Sequence, residues 1–305
     1  MVVLPTTYGA MSSSGLKTIN FKNMTDDNKQ QELTDSTDTA IAYSTCYVQC
    51  GDNLELLKTQ PNESVNMIYC DILYGTGRNF GNYQDLKQIR SDIESHYLPR
   101  LIEMKRVLKQ NGSIYLQMDT RINHWMRILM DEVFGYKNFK NEISWGYSSG
   151  GGTKRKYASK HDIILFYTVS NEYTFNEPKM KVYQKKKYSF STVKEYQDAD
   201  GWYHLSTCSD FFNDIKTDWH NNMSLGLFKN NSDKKRDALY PTQKPKELIR
   251  RFVLASTNEG DVVADYYLGS GTTAKVCQEL NRNFIGCDLS PKAIEITKAR
   301  LNGGQ

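Results

Sequence analysis

Residues 261–290 read DVVADYYLGSGTTAKVCQELNRNFIGCDLS. An apolar run leads into a glycine turn, Gly269-Ser270-Gly271. A helical segment follows, and a second apolar run ends on Asp288. Glycine belongs where the chain must turn tightly or approach a ligand closely, because it has no Cβ. Asp288 lies 19 residues after Gly269, about where a ribose-binding carboxylate falls in dinucleotide folds. With Ala274 the run also fits the form G-x-G-x-x-A. A strand, glycine turn, helix and strand closed by a carboxylate predict a nucleoside-containing cofactor on an α/β sheet.

The spacing leaves open which cofactor. A pyrophosphate, as in a nicotinamide-dependent oxidoreductase, would sit on the helix N-terminus. S-adenosylmethionine carries no phosphate, and the turn would accommodate its methionine moiety. A dehydrogenase places this unit early, whereas here only 34 residues follow Gly271. The sheet must therefore be completed by strands from the first half of the chain. Strands are expected over 65–70, 113–118, 139–147, 162–169, 261–267 and 283–287. Helices are expected over 95–109, 125–134, 246–255, 272–280 and 291–301. For 95–109 the apolar face is read as Leu98, Leu101, Ile102, Met104, Val107 and Leu108, with Asn111-Gly112 ending the helix. This alternation argues for a mostly parallel sheet with helices on both faces.

Composition is that of an ordinary globular protein, 39% hydrophobic and 24% charged, but it includes 20 tyrosines. A net charge of +4 is compatible with a polyanion partner and does not demand one. No run nears the roughly 18 apolar residues of a membrane span. The N-terminus lacks the features of a secretory signal, so a cytoplasmic location is expected. The six cysteines are scattered without CxxC pairs, and no metal site is expected.

Four regions are expected. Residues 1–40 form a polar arm, 41–149 and 238–305 two halves of one domain, and 150–237 an insertion. Within 151–200 stand ten basic residues against six acidic ones, interleaved with tyrosine, phenylalanine and tryptophan. Cations for phosphate and rings for bases are what a nucleic-acid groove needs. A solvated basic face over a small satellite core is the competing reading.

Two further stretches carry chemistry. Residues 69–74 read YCDILY, a buried strand ending on Asp71 with an aromatic three residues on. Residues 240–245 read YPTQKP. ADYYLGSGTT resembles the cofactor motif of amino-group DNA methyltransferases, and Asp71-Ile72-Leu73-Tyr74 resembles their catalytic tetrapeptide, usually Asp-Pro-Pro-Tyr. YPTQKP, and GDNLELL at 51–57, support the likeness. The order of catalytic motif, variable segment and cofactor motif matches the circularly permuted beta class, which includes modification subunits of restriction systems. The resemblance covers roughly residues 45–302 apart from the variable segment.

The resemblance implies a Rossmann-like, seven-stranded S-adenosylmethionine-dependent methyltransferase fold with one antiparallel strand. It implies donor contacts from Asp52, Asp265, Tyr267, Gly269, Ser270, Gly271 and Thr272, with Asp288 on the ribose. The insertion becomes a target-recognition region, with Lys154, Arg155, Lys156, Lys160, Lys185, Lys186 and Lys187 as DNA contacts. His161 falls beside a motif lining the base pocket and reads as structural. Double-stranded DNA is the implied partner. A homodimer or a restriction-system subunit is left open.

The chemistry fits the stretch. An exocyclic amine is a poor nucleophile because its lone pair is delocalised into the ring. Accepting its two N–H hydrogens on the Asp71 carboxylate and the Ile72 carbonyl would localise that lone pair. Tyr74 would stack on the extruded base. The resemblance implies N6-adenine, because an aspartate start usually goes with that target in the family. The alternatives are N4-cytosine methylation, or a catalytically weak DNA-binding partner subunit, because Ile72 and Leu73 replace prolines that would fix the backbone.

Overall fold

The computed structural model describes residues 46–79, 84–147, 154–189, 192–215 and 243–303. The polar arm over 1–40 lies outside them, as do 150–153, 190–191 and 216–237 of the expected insertion.

The described chain is built on an eight-stranded sheet. Its strands are β1 (Cys46–Cys50), β2 (Val65–Asp71), β3 (Leu108–Met118), β4 (Phe139–Gly146), β5 (His161–Thr168), β9 (Phe211–Phe212), β10 (Val262–Asp265) and β11 (Asn283–Asp288). A separate three-stranded antiparallel sheet holds β6 (Lys179–Gln184), β7 (Glu195–Asp198) and β8 (Gly201–Thr207). The large sheet runs β1-β11-β10-β2-β3-β5-β4-β9. Only β5 opposes its neighbours; every other pairing is parallel. The expected seven strands with one antiparallel member are present, and the two-residue β9 adds an eighth at the β4 edge.

Among the described residues six α-helices cover the sheet: α1 (Asn53–Thr59), α2 (Arg90–Val107), α3 (Asn123–Phe134), α4 (Lys246–Ser256), α5 (Thr272–Glu279) and α6 (Pro291–Leu301). Helices α1 to α3 supply one apolar cluster with Ile68, Ile114 and Leu116 of the sheet. Helices α4 to α6 supply a second, on the opposite face, with Met67, Tyr115 and Phe284. A parallel strand covered on both faces must be apolar throughout. Val65 to Cys70 are accordingly all buried, and exposure begins at Asp71.

Helix α2 departs from its expected limits. It starts at Arg90 and ends at Val107, and β3 begins at once at Leu108. Leu108 pairs with Val65, the next aligned pair is Ser113 with Met67, and the residues between form a bulge. Asn111-Gly112 therefore lies in an irregular strand and not at a helix end. The buried stripe is Ile93, Tyr97, Leu101 and Met104, while Leu98 and Ile102 of the expected face are exposed. Extending the helix toward its N-terminus brings Ile93 and Tyr97 into register with Leu101 at four-residue steps, which sets the inward face.

Candidate active site

The carboxyl ends of the parallel strands β1, β11, β10, β2 and β3 lie at one edge of the sheet, where α/β sheets bind ligands. Because β5 is antiparallel, it brings its first residues, His161 and Asp162, to that same edge. A cavity of about 400 Å³ opens there, within the usual range for small-molecule sites. Its lining includes Asp52, Asp71, Ile72, Tyr74, Tyr267, Gly269 and Asp288. Seven residues singled out from the sequence thus converge from opposite ends of the chain.

The glycine turn is held by the carboxylate that follows it. Asp288 Oδ2 accepts from Gly269 N at 2.9 Å, and Oδ1 accepts from Ser290 N at 2.9 Å. The Gly271 amide donates to Leu268 O at 3.0 Å. Burial of Asp288 pushes its carboxyl up, against those two amides. The turn therefore has a carboxylate where a pyrophosphate would need free amides, and Asp52 and Asp71 add acidic groups around the cavity. Arg100 and Lys244 of the same lining balance Asp52 and Asp71, so Asp288 at the turn is what suits a ligand with hydroxyls better than a dianion.

Asp265 sits behind the turn. It is 2% exposed and accepts from Thr273 Oγ1 at 2.6 Å and Tyr267 N at 3.0 Å. Burial raises its carboxyl to about 7. Gly271 adopts φ +75° and caps α5, with α6 directly behind it. Ser270 and Thr272 face Arg300 of α6, which donates to the Ser270 carbonyl at 2.7 Å. Asp265, Ser270 and Thr272 line a smaller recess that shares Asp71 and Gly269 with the main cavity.

On the opposite wall, Asp52 caps α1 through Leu54 N at 2.8 Å and accepts from Arg100 at 2.7 Å. Arg100 also donates to Asn53 Oδ1 at 2.6 Å. Asn53 in turn donates to the Tyr266 carbonyl at 2.9 Å. Tyr267 Oη lies 3.0 Å from His96 Nε2. Burial and the nearby Arg100 lower His96 to about 4, so the ring is neutral at pH 7.

Asp71 is the hub of the β2 end. Its Oδ1 accepts from Tyr74 Oη at 2.7 Å, and its Oδ2 accepts from Lys244 Nζ at 2.6 Å. Burial raises its carboxyl, and Lys244 pulls it back down. Tyr74 Oη also lies 2.8 Å from Asp162 Oδ2, so its one hydrogen is shared between two carboxylates. Asp162 is 4% exposed and is further held by Gln117 Nε2 at 2.8 Å and Tyr147 Oη at 3.1 Å.

The backbone after Asp71 is fixed without prolines. The Ile72 amide donates to the Gln117 carbonyl at 3.0 Å, which extends the β2–β3 ladder by one bond. Tyr97 Oη donates to the Leu73 carbonyl at 3.0 Å. Buried Asp85 accepts from the amides of Gly75 and Thr76. Gly75 takes φ +68°, and a Cβ there would stand 2.9 Å from Ile122. Hydrogen bonds thus supply the restraint that fixed φ angles would have supplied.

Asp162, Lys244, Arg100 and Gln117 were not singled out from the sequence. Lys244 falls within YPTQKP and Asp162 stands next to His161, so motif position is a signal for both. Nothing in the α2 pattern marked Arg100, an arginine on a buried helix face.

The basic residues expected to contact DNA lie elsewhere. Lys154, Arg155, Lys156 and Lys160 are exposed in the segment before β5. Lys185, Lys186 and Lys187 are exposed after β6. On the small sheet Lys181 lies over Tyr203 and Lys187 over Trp202, at 4.5 and 5.2 Å from the ring centroids. No described helix is long and apolar enough to cross a membrane.

Comparison with known proteins places this arrangement. The family model described as DNA methylase, covering N6 and N4 methyltransferases, matches residues 65–299. The Type II methyltransferase M.HpaI of Haemophilus parainfluenzae is 33% identical over 258 residues, covering 83% of this chain and 73% of its own. The DNA adenine methyltransferase YhdJ of Escherichia coli K12 is 30% identical over 257 residues, covering 83% and 81%. The solved M1.HpyAVI–SAM complex superposes with a TM-score of 0.55 at 19% identity, covering 85% of this chain and all of that one. The chain belongs to the N6/N4 DNA methylase family.

Proposed function

We propose that this protein transfers a methyl group from S-adenosylmethionine to the exocyclic amine of adenine in double-stranded DNA. The observation that carries the reading is the convergence of Asp71, Ile72 and Tyr74 with Gly269 and Asp288 on one cavity. The resemblance of these stretches to the family's two motifs gives each its role. YhdJ bears an adenine-specific name, which supports adenine over cytosine.

The residues present fit the donor. Asp288 keeps a second lone pair on each oxygen for the ribose hydroxyls, and Asp52 faces the cavity from α1. Tyr267 and the Gly269 backbone flank the methionine portion, and Asp265, Ser270, Gly271 and Thr272 set the shape of the turn. When bound, S-adenosylmethionine supplies a methyl group on a positively charged sulfur.

The target base leaves the duplex at a cost of a few kcal/mol and stacks on Tyr74. Asp71 accepts one amine hydrogen and the Ile72 carbonyl the other, which localises the nitrogen lone pair toward the donor. Holding amine and methyl in line supplies most of the rate. Asp162, itself held by Gln117, accepts from the Tyr74 hydroxyl, which tethers the far end of the ring. The fixed backbone at Ile72 and Leu73 favours an active enzyme over a silent partner subunit.

The strand order supports the circularly permuted class. Strand β10, from the C-terminal part, lies between β11 and β2 and completes a sheet begun by the first half of the chain. Residues 41–149 and 238–305 act as the two halves of the methyltransferase domain. Strand β5, within the expected 150–237 insertion, belongs to the methyltransferase sheet and carries Asp162 to the site. Target recognition is therefore assigned to the small sheet and to the exposed basic residues, with Lys154, Arg155, Lys156, Lys160 and Lys185 to Lys187 on phosphates. The protein works in the cytoplasm, as the modification enzyme of a restriction system.

Long-read sequencing of host DNA with and without the gene tests base and site together. N6-methyladenine at one defined sequence, lost on deletion and restored by the wild type but not by Asp71→Ala, is expected. Methylation restored by Asp71→Ala would refute the assignment of Asp71.

A further inference from the structure

Lys244 places an N–H donor where the edge of a nucleobase would be read. Its ammonium lies 2.6 Å from Asp71 Oδ2 and over the Tyr74 ring, 5.3 Å from the centroid. The side chain is only 13% exposed and lines the same cavity as Asp71 and Tyr74. An acceptor and a donor therefore stand side by side, beside the ring on which the base stacks.

The available hydrogens and lone pairs permit both to be used at once. An ammonium carries three N–H groups and a carboxylate oxygen two lone pairs, and their mutual contact consumes one of each. Adenine presents on its pairing edge an amine donor next to a bare ring nitrogen, N1. Cytosine presents the same pattern through its own amine and N3. In a base pair that edge is met by an adjacent acceptor and donor, and Asp71 Oδ2 with Lys244 Nζ reproduces the arrangement. Guanine and thymine carry a hydrogen on the corresponding ring nitrogen. An ammonium has no acceptor to offer it, so two donors would face each other in a buried site.

We propose that Lys244 is a specificity-determining residue that donates to the ring nitrogen beside the methylated amine, while remaining on Asp71. This rests on the base-flipping reading given above. It also explains why a lysine sits on the carboxylate that must receive the amine. Before the base enters, the ammonium keeps a largely buried carboxylate paired. On entry it need only turn a second N–H toward the ring. Lys244 confines the site to the amine bases and leaves the choice between adenine and cytosine to other contacts.

The test pairs a protein change with a single-atom change in the base. Duplexes carrying the methylated site would hold either adenine or 1-deazaadenine, which lacks the N1 acceptor and keeps the amine. Wild type, Lys244→Met and Lys244→Gln would be compared by single-turnover rate and by equilibrium binding with a non-reactive donor analogue. The wild type should favour adenine by roughly 10- to 100-fold, the range of one good base contact. Lys244→Met should lose that preference, and Lys244→Gln, which keeps an N–H, should retain part of it. The Met arm corrects for the altered electronics and pairing of the analogue, and donor binding by calorimetry checks its fold. Equal adenine-to-deazaadenine ratios in wild type and Lys244→Met would overturn the proposal, as would a wild-type ratio near one. Absence of methylation on every duplex would count against the proposed activity, while the binding ratios still report on Lys244.

Discussion

Replacing Gly271 with alanine probes the turn that seats the donor, and its cost follows from two local terms. Gly271 has φ +75°, a region that costs an L-residue about 1–2 kcal/mol. A Cβ built there would collide with Thr297 Oγ1 and lie 2.6 and 2.8 Å from its Cγ2 and Cβ. Thr297 is fully buried on α6, and overpacking of that kind costs about 1–3 kcal/mol. Together Gly271→Ala should lose roughly 2–5 kcal/mol, or roughly 4–20 °C in the unfolding midpoint for a domain of this size. Thr297→Ala deletes two of the three clashing atoms. It breaks no hydrogen bond, because the Thr297 hydroxyl has no partner among the described residues, and the cost of its buried methyl is common to both arms of the cycle. In that background Gly271→Ala should cost nearer the conformational term alone. Urea titrations of the four proteins measure the coupling as a double-mutant cycle. An equal cost in both backgrounds, or a cost below about 1 kcal/mol in the wild type, would refute the claim that α6 presses on the turn.

Tyr74→Ala should cut methylation by roughly 5- to 150-fold through loss of about 1–3 kcal/mol of stacking, with donor affinity unchanged; single-turnover rates and calorimetry separate the two. Asp71 accepts most strongly as a carboxylate, and burial raises its carboxyl. The acid limb of kcat/KM should therefore lie higher than a free aspartate would place it, and a pH–rate profile reads it directly. Asp265 is raised to about 7 in the folded protein, so the fold binds that proton more tightly than the unfolded chain. Its contribution to stability is complete below the ordinary carboxylate range and is lost as pH rises through about 7. Asp265→Asn should flatten that slope, and urea midpoints at pH 5 and pH 8 that decline equally in both proteins would refute the assignment.

The parts of the site legible in the sequence are those made by short, contiguous stretches. The turn at Gly269 to Gly271, the strand-ending Asp71 and the carboxylate at Asp288 are each marked by residue type and local spacing. They meet because parallel strands share a carboxyl edge. Helix α2 shows where such reading fails. Its apolar residues admit two faces, and the choice of Ile93, Tyr97, Leu101 and Met104 over Leu98 and Ile102 depends on where the helix begins. The bulge between Leu108 and Ser113 was hidden for a related reason, since Asn111-Gly112 suits a helix end and an irregular strand equally well.

Sequence by itself determined the α/β class, the order of the motifs and the chemical identity of the groups at the strand ends. These follow from the chain's own periodicity and from residues that only particular backbone conformations accept. Tertiary structure alone decided that Lys244 rests on Asp71, that Asp162, held by Gln117, binds the Tyr74 hydroxyl, and that hydrogen bonds from Ile72 and Tyr97 replace the missing prolines. Each of these contacts joins residues well apart along the chain, and β5 must run antiparallel to bring Asp162 to the site at all. A hydrogen bond depends on a separation of about 3 Å and on direction, and no local pattern encodes such a separation between distant segments.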